Sequence, residues 1–394
     1  MLGSILLDVF LIAVLIAYLV YGYRTGLIRS LGGIVGVVLG AFLAVLLVPV
    51  VTSWVQDPSL RTVATIAVVV AVVVGFYYAG AGLGRLIQSR VKGLGIRRVD
   101  RALGAVVVTI VAALVASMLA ASIAALGVPG VSQAIAGSQV LRTITAITPD
   151  PVQAFLARVR SATVDQGLPR IAEAFGGTGN TSIPNVDTNT AALNKAALSV
   201  VRITGNAYAC GQSQSGSGFV IAGNRVMTNA HVVAGVAHPV VDVRNGPALP
   251  STVVYFDPTG DLAVLAVPGL SVKSLPLGST VSAGTQAVSD GYPFGGPFVS
   301  LSVGVDQVGT LNVQNIYNSG SAPREIYSLA ADIQEGDSGG PLLTQQGVVA
   351  GVIFAKGATT PNVGYAITMK SVKPVADAAP TLTTPVSSGQ CTRG

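Results

Sequence analysis

A short glycine-flanked turn, Gly336-Asp337-Ser338-Gly339-Gly340-Pro341, presents one serine hydroxyl in the last quarter of a 394-residue chain. Serine is a weak nucleophile unless a neighbouring base takes its proton and main-chain N–H groups face the oxyanion that forms on its target. Two histidines exist. His231 follows an apolar run in Thr228-Asn229-Ala230-His231-Val232-Val233, whereas His238 sits in a loop context before Pro239. His231 is the better base, and Asp261, opening Asp261-Leu262-Ala263-Val264-Leu265 after Gly260, could fix its tautomer; Asp257 and Asp242 are the alternative acids. The glycines let the turn bend sharply and admit substrate backbone, so the N–H groups of Gly336 and Ser338 are the expected oxyanion donors. The chemistry so assembled is acyl transfer through Ser338 followed by hydrolysis, which calls for no metal and no cofactor.

Such groups need a rigid frame. From about residue 198 the sequence breaks into short β-branched runs at 199–204, 217–222, 240–244, 252–256, 262–267 and 348–354, punctuated by Gly, Pro, Asn and Asp. That pattern reads as an all-β barrel or sandwich, and residues 198–394 have room for two small barrels.

The first third of the chain is different. Overall 51% of the residues are hydrophobic and 10% charged, too apolar for one soluble domain. Apolar runs at 5–23, 31–51, 62–84 and 102–126 are hydrophobic on all sides and long enough to span a bilayer as helices, giving an all-α four-span region over 1–126. Residues 1–130 carry nine Lys/Arg against three Asp/Glu, while residues 131–394 carry fourteen of each. A neutral second half speaks against a nucleic-acid partner. The basic residues cluster after the first span (Arg24, Arg29) and after the third (Arg85, Arg90, Lys92, Arg97, Arg98, Arg101). By the positive-inside rule these connections face the cytoplasm, which leaves the N-terminus and everything beyond 126 extracytoplasmic. Gly32, Gly36 and Gly40 recur every four residues in the second span, a spacing for close helix packing, and Asp8 is an acid within the first span.

Residues 127–197 read as a partly helical stalk, interrupted by Gly127, Pro129, Pro149, Pro151 and Pro169, that ends in a flexible Gly/Thr/Asn/Ser-rich linker open to self-cleavage at 176–197. The two cysteines, Cys210 and Cys391, stand near the two ends of the neutral region, where an oxidising compartment would permit a disulfide.

The segments T-N-A-H-V-V, D-L-A-V-L and G-D-S-G-G-P, in that order, resemble the chymotrypsin-like serine proteases, with His231, Asp261 and Ser338 matching the triad. The first two segments are most similar to the HtrA/Deg branch, although too few residues follow for a PDZ domain. In the membrane half, Asp8 and Tyr23-Arg24-Thr25-Gly26-Leu27-Ile28-Arg29-Ser30-Leu31-Gly32-Gly33 resemble the colicin V production (CvpA) family. The combination is similar to the actinobacterial membrane-anchored acid-resistance proteases of the MarP type. That resemblance implies a multidomain protein, a double-barrel chymotrypsin-like serine endopeptidase on a membrane anchor in contact with lipid. It would act on envelope proteins, cell-wall enzymes among them, in acid and oxidative stress.

Two details depart from trypsin-like enzymes. No activation sequence of the I-V-G-G type precedes the domain, so Asp337 needs a partner other than a new N-terminus. Asp332, six residues before the serine, occupies the place of the acid that selects Lys or Arg, while Val352-Ile353-Phe354-Ala355 reads as the strand that pairs with extended substrate. The rival from another class is a catalytically idle sensor or scaffold that binds peptides on the same fold.

Overall fold

The computed structural model describes residues 2–54, 58–90, 94–125, 131, 134–135, 137–161, 168–171, 182–207, 212–244 and 246–392. They divide into two compact units, one built from 5–119 with 139–144 and the other holding the remainder.

In the first unit, four helices among the described residues are long and apolar enough to cross a membrane: α1 (Leu2–Thr25), α2 (Leu27–Trp54), α3 (Pro58–Arg90) and α4 (Leu94–Ala125). The glycine stripe of α2 lies against α3. A Cβ on Gly36 would overlap the Phe76 carbonyl oxygen, and one on Gly32 would overlap that of Gly80. Absent side chains let the two backbones touch, and dispersion rather than hydrophobicity holds helices together in lipid. Gly26, with φ 79°, turns the chain between α1 and α2. Asp100 accepts from the Ile28 N–H (3.1 Å) at the start of α2, where a carboxylate suits the helix dipole. Gln88 donates to Asp100 (2.7 Å) and to the Thr25 carbonyl (2.9 Å). The C-terminal ends of α1 and α3 and the N-terminal turns of α2 and α4 therefore lie at one end of the bundle. Asp8 receives the N–H groups of Gln139 (3.1 Å) and Val140 (3.2 Å), satisfying orphan donors at the start of α5 (Gln139–Ile147).

The second unit continues with α6 (Asp150–Ser161), a two-residue strand β1 (Arg170–Ile171) and α7 (Ala191–Ala197). Residues 172–181, which include the first six residues of the expected flexible linker, lie outside the described residues. Its last stretch is folded: Thr190 Oγ1 accepts from the Leu193 N–H (3.3 Å), and Leu193, Ala196 and Ala197 are buried at helical spacing. The cap and this apolar face draw 190–197 into the domain.

The first sheet runs β6-β5-β2-β3-β4-β8-β7, comprising β2 (Val200–Ala207), β3 (Gln212–Ala222), β4 (Arg225–Thr228), β5 (Val240–Val243), β6 (Ala248–Pro250), β7 (Thr252–Asp257) and β8 (Leu262–Ala266). The second runs β1-β13-β12-β9-β10-β11-β14, with β9 (Gln286–Gly291), β10 (Val299–Gln314), β11 (Ser321–Ala330), β12 (Pro341–Thr344), β13 (Val349–Gly357) and β14 (Val363–Thr368), and it closes through β13–β14. Among the described residues only this sheet closes by strand pairing; the first is an open, curled sheet. Each has its own core, Val201, Ile203 and Leu265 in the first and Val303, Leu329 and Ile353 in the second. A shared core joins them, with Phe219, Met227 and Leu262 meeting Ile326, Phe354 and Tyr365, and Val372 of helix α9 (Met369–Ala378) covering one side. The seam between two rigid sheets is where groups from distant sequence can meet.

Candidate active site

Strand register sets the first two residues. Thr228 at the end of β4 pairs with Ala263 at the start of β8, so the residues just after β4 and just before β8 are neighbours. His231 occupies α8 (Ala230–Val233), the single turn after β4, and Asp261 immediately precedes β8. His231 Nδ1 lies 2.9 and 3.0 Å from the two Asp261 carboxylate oxygens, and the His231 main-chain N–H also donates to Asp261 (3.0 Å). A carboxylate only accepts, so Nδ1 carries a proton, and in the neutral tautomer so fixed Nε2 is the acceptor. Asp261 adopts a left-handed backbone (φ 54°), a region that Asp tolerates better than most residues, and Asn229 Nδ2 holds its carbonyl (2.8 Å).

Ser338 lies in the turn between β11 and β12. It lines one narrow cleft with His231, Gly336, Gln214 and Leu168. Its Oγ is buried and makes no hydrogen bond, so the serine–histidine bond expected of a working triad is not formed in this state. Such bonds are often loose without substrate and tighten on binding. The two alternative acids are engaged elsewhere: Asp242 pairs with Arg202 (2.9 Å), and Asp257 caps its own turn at the Thr259 N–H (2.9 Å). His238 is exposed on its loop.

Asp337 is buried, and its carboxylate accepts from the Gln334 N–H (2.9 Å), a main-chain donor in place of an inserted N-terminus. Burial pushes its pKa up to about 7, with Asp332 adding to the rise and the Gln334 N–H and Lys356 opposing it. Asp290 on β9 is likewise raised to about 6 by burial, against the Ser300 hydroxyl and Arg244.

The expected specificity residues fall elsewhere. Asp332 is exposed and bonded to the Gln334 side chain rather than lining the cleft. Val352, Ile353 and Phe354 are fully or almost fully buried. Their backbones are committed too, Ile353 exchanging bonds with Gly339 (2.8 Å) and Gly340 (2.9 Å), so they anchor the nucleophile turn. The free edge of β13 begins further along, and β1 occupies it in parallel register, Arg170 opposite Lys356 and Ile171 opposite Gly357. Cys391 is disulfide-bonded, while Cys210, the other cysteine of the sequence, lies outside the described residues.

Comparison with known proteins fits this geometry. The trypsin-like peptidase domain family matches residues 216–352, and the colicin V production protein family matches 7–149. A serine protease of Mycobacterium tuberculosis, Rv3671c, is 33% identical over 376 residues, covering 93% of this chain and 94% of its own. The chain belongs to the trypsin-like serine proteases. The crystal structure of the Rv3671c protease in its active form aligns with a TM-score of 0.53 at 34% identity, over 57% of this chain and all of the other. Mitochondrial HTRA2 of Drosophila persimilis is 36% identical over 168 residues, 41% of this chain and 38% of that protein. With its four apolar helices and colicin V production region, the protease is a multi-pass membrane protein.

Sequence reasoning missed two parts of this protease's site. Asn229, next to the motif histidine, holds the Asp261 carbonyl. Ser217 on β3, in Gly216-Ser217-Gly218 at the start of the 217–222 run, bonds to both sides of the nucleophile turn. Neither shows in the spacing of reactive side chains, because both act on main-chain atoms.

Proposed function

We propose that the protein is a membrane-anchored serine endopeptidase in which Ser338 attacks the scissile carbonyl, His231 takes its proton and then passes it to the leaving amine, and Asp261 orients the imidazole. The N–H groups of Gly336 and Ser338 stabilise the oxyanion, each worth about 3–4 kcal/mol by analogy with other hydrolases. The observation that carries this reading is the buried His231–Asp261 pair opening on the same cleft as Ser338. Water then hydrolyses the acyl-enzyme on Ser338, again with His231 as base.

The protease unit acts outside the cytoplasm, a placement supported by the charge asymmetry of the connections and by the disulfide at Cys391, for which Cys210 is the proposed partner. Its substrates are proteins of the cell envelope, cell-wall enzymes among them, and its role is in acid and oxidative stress. Self-cleavage falls in the stretch 176–190, ahead of the folded helix α7. Ser338→Ala is expected to abolish both peptide cleavage and fluorophosphonate labelling; labelling that persists in the variant rejects the nucleophile. Comparing envelope proteomes of wild-type and Ser338→Ala cells after acid exposure identifies the substrates, and identical profiles would count against the stress role.

A further inference from the structure

We infer that Ser217 is a positioning residue for the oxyanion site, an inference that rests on Gly336 and Ser338 being the donors. In a trans peptide the N–H points opposite to the C=O, so a tethered carbonyl aims the N–H of its own plane. The planes that carry the two donors are tied through main-chain groups, Glu335 C=O by the Phe294 N–H and Asp337 C=O by the Gly340 N–H. Between them stands Gly336, a glycine with φ 94° whose missing side chain leaves the Tyr292 carbonyl in contact, and whose ψ is therefore free to change. Two bonds fix that ψ: the Asp337 N–H of the same plane donates to the Gln334 carbonyl (3.1 Å), and the Ser217 hydroxyl, held by the Tyr292 N–H (2.9 Å), donates to the Gly336 carbonyl (2.6 Å). The Ser217 main-chain N–H holds the Ser338 carbonyl (2.8 Å), and Thr228 Oγ1 holds the Ser217 carbonyl (2.7 Å). One fully buried serine of the first sheet thus spans the nucleophile turn of the second from Gly336 to Ser338.

In Ser217→Ala the main-chain bonds survive and the Gly336 plane loses its only tie to the first sheet, keeping the bond from the Asp337 N–H to the Gln334 carbonyl. With the full chain in detergent, kcat is expected to fall about ten- to hundredfold, part of the effect of losing one oxyanion donor outright. KM should stay within about twofold, and affinity for a peptide boronate should fall in parallel with kcat. Ser251→Ala, which removes a buried hydroxyl bonded to the Pro239 carbonyl (2.8 Å) in the first sheet, serves as the packing control. An unchanged kcat overturns the inference, as does a loss matched by Ser251→Ala in both kcat and melting temperature. Failure of Ser338→Ala to abolish labelling would instead strike the reading beneath it.

A separate observation carries a second inference, resting on the same nucleophile. We propose that Leu168–Ile171 is a built-in strap over the cleft. Leu168 is buried with the core of the second sheet and lines the cleft together with His231 and Ser338, the Pro169 carbonyl accepts from the Lys356 N–H (3.1 Å), and the Ile171 carbonyl accepts from the Ala358 N–H (3.0 Å). Those donors, Lys356 in β13 and Ala358 just past its end, lie along the edge that an extended substrate would use. The Pro169 and Ile171 carbonyls are spent on these bonds, so neither is offered to the oxyanion donors, and the strap occupies the edge without being cut after either residue. Leu168→Asp combined with Ile171→Pro in the full chain is expected to speed fluorophosphonate labelling of Ser338 about ten- to hundredfold, the burial of one leucine converted to an equilibrium constant. Equal labelling rates in variant and wild type overturn the strap and leave the nucleophile standing. No labelling in either refutes both.

Discussion

Replacing Asp337 by asparagine tests whether this fold is built to be steadier in acid than at neutral pH. The Asp337 carboxyl is buried, finds one main-chain donor, and titrates at about 7 instead of its ordinary 3.8. The folded state therefore binds a proton that the unfolded chain releases between about pH 4 and pH 7. With the native state holding more protons, stability falls as pH rises through that window and the contribution is gone above about pH 7. Between pH 5 and pH 8 this amounts to roughly 2.5–3 kcal/mol for Asp337, or about 5–10 °C of melting temperature for a unit of this size. Asp290, raised to about 6, adds a smaller term of the same sign. Asparagine keeps the shape and the acceptor for the Gln334 N–H and carries no charge at any pH. Asp337→Asn is thus expected to leave the melting temperature near pH 5 almost unchanged and to raise it at pH 8 by several degrees. Thermal unfolding of wild type and variant at half-unit steps between pH 4 and 8 measures it. Parallel curves, or a variant that melts lower at pH 8, would refute the assignment of the raised carboxyl.

Other expectations follow from single contacts. Asn229→Ala removes the bond to the Asp261 carbonyl and leaves a left-handed aspartate unsupported, so it should cost about 1–3 kcal/mol in chemical denaturation and lower kcat more than it raises KM. In Gly36→Leu the new side chain meets the Phe76 backbone, and the α2–α3 pair should separate, seen as a lower melting temperature of the full chain in detergent; an unchanged value would mean the glycine contact contributes nothing. Reducing the disulfide of Cys391 should destabilise the protease unit, by up to about 5 kcal/mol if the bridge closes the long loop to Cys210. Identical melting with and without reductant would remove that bridge from the account.

The sequence was most legible where chemistry demands a residue type. A serine in a glycine turn, a histidine after one apolar run and an aspartate before another stand out because few alternatives exist: two histidines in the chain, one of them exposed in a loop. Four apolar runs announced four helices, since lipid tolerates little else. Strands β2, β3, β5, β7, β8 and β13 were visible as β-branched runs, while β9–β12 and β14 were not. Long β10 and β11 are mixed in burial along their length, and β12 is only four residues, so neither alternation nor an apolar block marks them.

Convergence itself belongs to the tertiary structure. That β4 lies beside β8, so that His231 faces Asp261 rather than Asp242 or Asp257, is a matter of register between strands some thirty residues apart. The burial of Val352 and Phe354 depends on two sheets sharing a core, that of Ile353 on the second sheet closing on itself, and that closure moves the open edge to Lys356, where residues from before the domain pair with it. Local sequence fixes what each side chain can do and which way its own segment curls. Which groups meet is decided by long-range packing, because the free energy that joins the two sheets comes from apolar area spread over both, and no segment carries that information alone.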